Sequence, residues 1–317
     1  TVSAIGGMMC PEMKKDGYSE AEAGAIAAAS GTLGVIIPPS IPMVVYGIAA
    51  SVSVTKLFVA GILPGIILAI LLCLTSMWIM RHDKRDRRAI KEELNAQGMT
   101  GWKALKEASG ALFMPILILG GIYGGMFTPT EAGVVSALYA FVISRYVYKE
   151  LSWGDFLDCV KSAGINTGTI LIVCACSSPF AWFMTSQGIP GLISKAIISL
   201  VHSRIMILLA INIILLILGC FLDTSVIILL TTPILLPVAA AVGISPIVLG
   251  IIMVINTSVG MITPPMAVNL YIASRVSECS IEGICKKIIP FLTVEIIFVV
   301  IISYFPGLIL WMPNLVG

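Results

Sequence analysis

The chain has 317 residues, 58% of them hydrophobic and 11% charged, with a formal net charge of +2. A soluble domain is typically about a quarter charged, so this composition excludes one. Apolar runs of roughly 20 residues, enough to cross a bilayer, recur along the chain, and the alternating pattern of a membrane β-barrel is absent. An all-α polytopic membrane protein remains.

In chain order, a charged connection at 12–20 carries Lys14 and Lys15. A short helix is expected over about 20–33, with Ser19 as its N-cap and Glu22 in capping-box spacing. It ends in "SGTLGVIIPPSIPM" at 30–43, which holds two glycines, the adjacent Pro38 and Pro39, and a third proline. Proline lacks an N–H and clashes with the preceding turn, at roughly 3 kcal/mol or more in a helix interior. A second short helix is expected over 40–51. Unwound backbone at membrane depth survives only where it is buried or lines a polar cavity.

The apolar run 57–80 predicts a full span. Residues 81–107 follow, with the densest Lys/Arg cluster, and are placed in the cytoplasm by the positive-inside rule. Alternating the segments from that anchor puts 12–20, 145–161 and 275–287 on the same side, so that these four regions hold 16 of the 19 Lys and Arg. The basic loop reads as topogenic rather than as a nucleic-acid site. At 127–133, "FTPTEAG" offers Thr128 as N-cap, Pro129 at the first helical position and Glu131 at the third. Residues 101–109 and 152–163 read as amphipathic helices along the cytoplasmic interface.

The apolar region 205–240 is interrupted by Asp223, Thr224 and Ser225. Its halves, of about 15–17 residues, read as arms of a re-entrant hairpin with these residues at the tip. An Asp at membrane depth is expensive and usually functional. Short helices are then expected over about 246–258 and 266–276, the first with Ser245 as N-cap and Pro246 behind it. Between them lies "GMITPP" at 260–265. A last span covers 288–311.

The eight cysteines sit mostly in or beside apolar runs and read as packing residues. "CAC" at 174–176 is too tight for zinc spacing. GxSxG, HExxH and Walker patterns are absent, which argues against an enzyme and against ATP-driven transport.

Compared with itself at an offset of 226, the chain aligns Pro11 with Pro237, Gly17 with Gly243, and Ser19 with Ser245. The same offset aligns Gly34, Pro38, Pro39 and Ser51 with Gly260, Pro264, Pro265 and Ser277. Two structural repeats are implied. Lys14 and Lys15 precede the first break, whereas Arg275, Lys286 and Lys287 follow the second. Positive charge therefore swaps ends, and the repeats are expected to be inverted across the membrane, as in secondary transporters. Polar residues gather at both breaks: Ser30 and Thr32 at the first; Asn256, Thr257, Ser258 and Thr263 at the second. Proton-driven carriers tend to hold chains of intramembrane acids or His. Here Asp223 stands nearly alone among hydroxyls and backbone oxygens, which favours Na⁺ as coupling ion, with no other cofactor.

The segments "SGTLGVIIPPSIPMVVYG" (30–47), "GGMFTPTEAGVVSALYA" (124–140) and "INTSVGMITPPMAVNLY" (255–271) resemble the large membrane subunit, DctM or SiaM type, of tripartite ATP-independent periplasmic (TRAP) transporters. The resemblance runs essentially end to end. It implies inverted-topology repeats with re-entrant hairpins and discontinuous helices, in an elevator fold like that of the ion-transporter superfamily. It also implies a sodium symporter of the bacterial inner membrane, with a small four-helix membrane subunit (DctQ type) as partner. A periplasmic binding protein would deliver an organic acid of C4-dicarboxylate or sialic acid type. Carried onto this sequence, one sodium site would use backbone around Gly34, Ile37 and Pro39. The other would use Thr257, Gly260 and Thr263 with the Asp223–Ser225 tip, and substrate would lie between the hairpin tips, near Ser30, Thr32, Asn256 and Ser258. A stand-alone divalent-anion:sodium symporter is the alternative.

The expected organisation has 1–56 as the end of a first hairpin plus the first discontinuous helix, and 57–203 as scaffold helices. Residues 204–286 form the second hairpin and discontinuous helix, and 287–317 a C-terminal span. The counterpart of Asp223 would precede residue 1, so the chain reads as part of a longer protein.

Overall fold

The computed structural model describes residues 1–79, 102, 105–106, 108–189, 191–192 and 203–316. Most of the basic loop 81–107 lies outside the described residues, and so do residues 101, 103, 104 and 107 of the helix expected over 101–109. The described residues are helical throughout, without strands. Cα packing divides the chain into two units, Thr1–Asp83 with Val173–Gly317, and Lys84–Ile172.

In the larger unit, α1 is Gly7–Lys15, α2 Glu20–Ile36, α3 Ile41–Ala49 and α4 Val54–Ile79. The boundaries of α4 agree with the span expected over 57–80. Ile66, Ile70 and Leu74 leave an exposed apolar stripe at i, i+4 spacing, while Leu57, Leu68 and Leu72 are buried. A helix at a lipid boundary needs one apolar stripe for protein and another for acyl chains.

The smaller unit holds α5 (Ser109–Tyr123), α6 (Pro129–Val142), a π-helical segment at Ile143–Val147 and the opening of the helix that follows. Thr128 and Glu131 form the expected capping box, with Thr128 N–H donating to Glu131 Oε2 at 2.8 Å. Phe127 lies against Gly121, and the Tyr139 hydroxyl donates to Gly110 O at 2.8 Å. The expected interfacial helix 152–163 is not a separate element. It is the opening of α7 (Trp153–Ser186), which continues across the unit boundary. No proline or glycine pair stands near 163 to stop it, and the first proline inside α7 is Pro179.

The rest of the larger unit comprises α8 (Arg204–Phe221), α9 (Thr224–Ala241), α10 (Pro246–Gly260), α11 (Val268–Ser277), α12 (Ile281–Tyr304) and α13 (Gly307–Val316). The last span differs from the expected 288–311. The helix starts seven residues earlier, on the Ser280 cap, and stops at Tyr304, with α13 bent away by 63°. Pro306 accounts for the stop, since the residue before a proline is pushed out of helical geometry.

The two repeats share local geometry. Gly17 and Gly243 both take left-handed backbone, with φ of +85° and +70°. Tyr18 N–H donates to Met13 O and Gly17 N–H to Lys14 O, while Ile244 and Gly243 donate to Ala239 O and Ala240 O. Each residue of the second pair of bonds is the first shifted by 226, and both are Schellman closures that need glycine at the left-handed position. Both Pro38–Pro39 and Pro264–Pro265 bonds are cis. Ser19 completes its capping box with Glu22, whereas Ser245 occupies the N-cap position without a side-chain bond.

The ends of the repeats meet reciprocally. The Tyr46 hydroxyl, near the end of the first broken helix, donates to Pro246 O at the start of the second, at 2.6 Å. Ser277, closing the second, lies against Gly24 near the start of the first. Lys14 binds Glu278 at 2.9 Å and Glu20 at 3.4 Å, and Lys287 binds Glu22 at 3.0 Å. Regions 12–20 and 275–287, assigned to one side of the membrane by charge, therefore touch.

Candidate functional site

Proline removes the donor for the carbonyl four residues before it. Pro38 and Pro39 thus orphan Gly34 O and Val35 O, and Pro264 and Pro265 orphan Gly260 O and Met261 O. Three of these four oxygens find other partners. Val35 O accepts from the Ser40 hydroxyl at 2.5 Å, Gly260 O from Thr263 N–H at 2.9 Å, and Met261 O from Asn269 N–H at 3.0 Å. Among the described residues, no donor meets Gly34 O.

The first half-helix is three residues longer than expected, running to Ile36, so Gly34 is helical and the break occupies Ile37 to Ser40. Ile37 turns to extended backbone (φ −77°, ψ 127°), and its N–H still bonds Leu33 O at 2.8 Å. Pro39 is exposed. Ser40 opens α3, accepting from Met43 N–H at 3.5 Å. The chain bends by 41° across this break.

The second break, seven residues between α10 and α11, is more wound than the sequence suggests. Met261 N–H bonds Thr257 O and Ser258 O, and Ile262 N–H bonds Val259 O. Three- and four-residue turns thus replace the naked oxygens expected there. Thr257, Ser258 and Thr263 donate their hydroxyl protons back to Met253 O, Val254 O and Val259 O at 2.7, 2.7 and 2.8 Å. Protons so directed leave the hydroxyl lone pairs free to accept, the polarity a cation requires. Beside this break, Pro264 lines a cleft of about 480 Å³ with Glu282, Lys286 and Ile289.

The hairpin of α8 and α9 reaches the same place. Asp223 caps α9, accepting from Ser225 N–H at 2.8 Å, and is exposed. Thr224 is buried and its hydroxyl lies 3.4 Å from Met261 Sδ. Gly219 and Gly260 touch backbone to backbone: a Cβ on Gly219 would lie 2.9 Å from Gly260 Cα. The tip, Thr257, Gly260 and Thr263 therefore form one neighbourhood.

Other expected site residues point elsewhere. Asn256 is buried and donates to Asn212 Oδ1 at 2.9 Å, while Asn212 donates to Ser303 Oγ at 2.9 Å. This is a clamp joining α10, α8 and α12. Ser30 is exposed and bonds Ala27 O, whereas Thr32 is buried against α12. Two positions apart on a helix is about 200° of rotation, so the two hydroxyls cannot share a face.

Sequence reasoning passed over Glu295. It lies in the middle of α12, is fully buried, and stands 3.0 Å from the Thr32 hydroxyl. Asp223 is therefore not the only acid set within the apolar runs. A lone acid inside an apolar run was the available signal.

At the charged end, Glu278 is held below the usual carboxylate range by its hydrogen bond from Lys14, and Lys14 is raised by the same bond.

Residues 1–308 match the family model for the tripartite ATP-independent periplasmic transporter, DctM component. The isethionate TRAP transporter permease protein DctMQ of Oleidesulfovibrio alaskensis is 40% identical over 97% of this chain and 48% of its own length. The C4-dicarboxylate TRAP transporter large permease protein DctM of Pseudomonas aeruginosa is 37% identical over 100% of this chain and 73% of its own length. The sialic acid TRAP transporter large permease protein SiaM of Vibrio cholerae is 33% identical over 98% and 72%. The chain thus spans between about half and three quarters of these relatives. With the broken helices and the apolar spans, these matches establish that the chain belongs to the DctM family of TRAP transporter large permease components.

Proposed function

We propose that this chain is the membrane-spanning carrier part of a sodium-coupled TRAP transporter that imports an organic acid across the bacterial inner membrane. The observation that carries the reading is the convergence of the Asp223–Ser225 tip, Thr257, Gly260 and Thr263 on one break, with Gly34 O left unpartnered at the other. Hard oxygen donors of this kind suit Na⁺. The reciprocal packing of the two broken helices supports inverted repeats and, with them, alternating access by an elevator movement. The contact of the tip with a helix break supports a re-entrant rather than a spanning hairpin, although α8 and α9, at 18 residues each, are long enough to approach a full crossing at 1.5 Å per residue.

Two partners belong to the proposal: a small four-helix membrane subunit, and a periplasmic binding protein that delivers a carboxylate-bearing substrate. The relatives' names, for C4-dicarboxylate and sialic acid carriers, support an organic acid. One net positive charge entering at 100 mV contributes about 2.3 kcal/mol, close to fifty-fold accumulation.

The test is uptake in proteoliposomes holding the full-length subunit and its small partner, titrated with sodium, with and without the binding protein. Uptake should require both sodium and the binding protein, and Asp223→Ala and Thr257→Ala should raise the sodium needed for half-maximal rate. Sodium dependence unchanged in both variants would reject the site, and uptake without the binding protein would indicate a stand-alone symporter.

A further inference from the structure

Among the described residues Glu295 is the only buried Asp, Glu, Lys or Arg: it has no exposed surface, and its Oε2 meets no hydrogen-bond donor. Its one hydrogen-bond partner among the described residues is Thr32, whose hydroxyl oxygen is 3.0 Å from Glu295 Oε1 and 2.7 Å from Ala29 O. A hydroxyl has a single proton to donate. If Thr32 gives it to Ala29 O, the shorter contact, the bond to Glu295 needs a second proton, and only the carboxyl can supply it. The chain Glu295 O–H to Thr32 Oγ1, then Thr32 O–H to Ala29 O, satisfies both distances with one proton each.

Nothing nearby neutralises an ionised form. The elements packed on α12 are α2, α4, α8, α10 and α11. Their titratable or charged groups are Glu20 and Glu22 on α2, Lys56 and Cys73 on α4, Arg204 and Cys220 on α8, and Tyr271 and Arg275 on α11; α10 has none. On α12 itself are Glu282, Cys285, Lys286, Lys287 and Tyr304, and Lys287 is engaged by Glu22. None of them bonds Glu295. A second orphan lies against the same stretch of α2: the buried Nδ2 of Asn269, on α11, meets no acceptor and faces Gly31, next to Thr32.

We infer that Glu295 is a proton-binding site in the membrane interior, whose proton holds α12 to α2 through Thr32. The site is separate from the proposed sodium residues and does not depend on that reading. An ionised carboxylate here would need its charge met by a cation, and the described residues bring none, so the ligand is a proton. Loss of that proton leaves Thr32 with two acceptors for one hydrogen, so that one of its two bonds, to Ala29 O or to Glu295, is lost.

Infrared difference spectroscopy of the purified full-length protein in lipid tests this directly. At neutral pH the wild type should show the carbonyl band of a protonated carboxyl, and Glu295→Gln, which mimics the neutral acid, should lack it. Thr32→Val should shift the band, because the acceptor of the acid proton is gone, and this arm stands if Glu295→Gln does not fold. The Gln variant should also lose the alkaline part of the wild-type fall in melting temperature. An ionised carboxylate band in place of the acid band, whether or not it responds to sodium, would overturn the proposal, as would a spectrum unchanged in both variants.

Discussion

Gly219 and Gly260 bring α8 and α10 into backbone contact, so the end of one hairpin arm and the end of one half-helix are a single joint. A Cβ at Gly260 would lie 2.5 Å from Gly219 Cα. Backbone cannot give way as a flexible side chain can. Gly219→Ala and Gly260→Ala should each cost about 1–3 kcal/mol through overpacking, read as a lowered melting temperature. Gly120→Ala, with open space around it, should leave the melting temperature unchanged or slightly raised.

Ser40 has two tasks at the first break: it caps α3 and donates to Val35 O. Ser40→Ala should destabilise by about 1–2 kcal/mol from the lost cap and the second orphaned carbonyl. Ser40→Thr, which keeps the hydroxyl, should recover most of it in the same melting assay.

The Asn212 clamp predicts a non-additive pair. Asn212→Leu strands one N–H of the buried Asn256 amide, whose bond to the main-chain oxygen of residue 212 remains, and should cost about 1–3 kcal/mol. Adding Asn256→Leu removes the stranded group, so the double variant should be less destabilised than the sum of the two single changes.

The Lys14–Glu278 pair predicts an acid dependence. Glu278 titrates below its ordinary value in the folded protein, so its contribution is present above the ordinary glutamate range. It is lost as pH falls through the lowered value. Lys14→Ala should weaken this acid-side loss in melting curves, and salt should do the same, because both groups face water.

Glycine and proline punctuation made the repeat legible, since Gly17 and Gly243 must be glycine for the left-handed turn and the proline pairs dictate which carbonyls lose donors. Charge alone puts 12–20 and 275–287 on one side of the membrane, and the Lys14–Glu278 contact agrees. What the sequence could not supply was which orphaned oxygens are rescued. The Ser40 hydroxyl, Thr263 N–H and Asn269 N–H do so through turn geometry that no spacing rule encodes. Asn256 and Thr32 were read as polar groups at the breaks because they are near them in sequence. Helix rotation turns one toward Asn212 and the other toward Glu295.

Sidedness tests the central claim most directly. In a cysteine-free background, single cysteines at Asp16 and Glu278, at the meeting of one pair of repeat ends, and at Ser53 and Ala241, at the other, are exposed positions for an impermeant thiol reagent. The account predicts that Asp16 and Glu278 are labelled from the cytoplasmic face alone, and Ser53 and Ala241 from the opposite face alone. Labelling of Asp16 and Glu278 from opposite faces, or of all four from one, would contradict it.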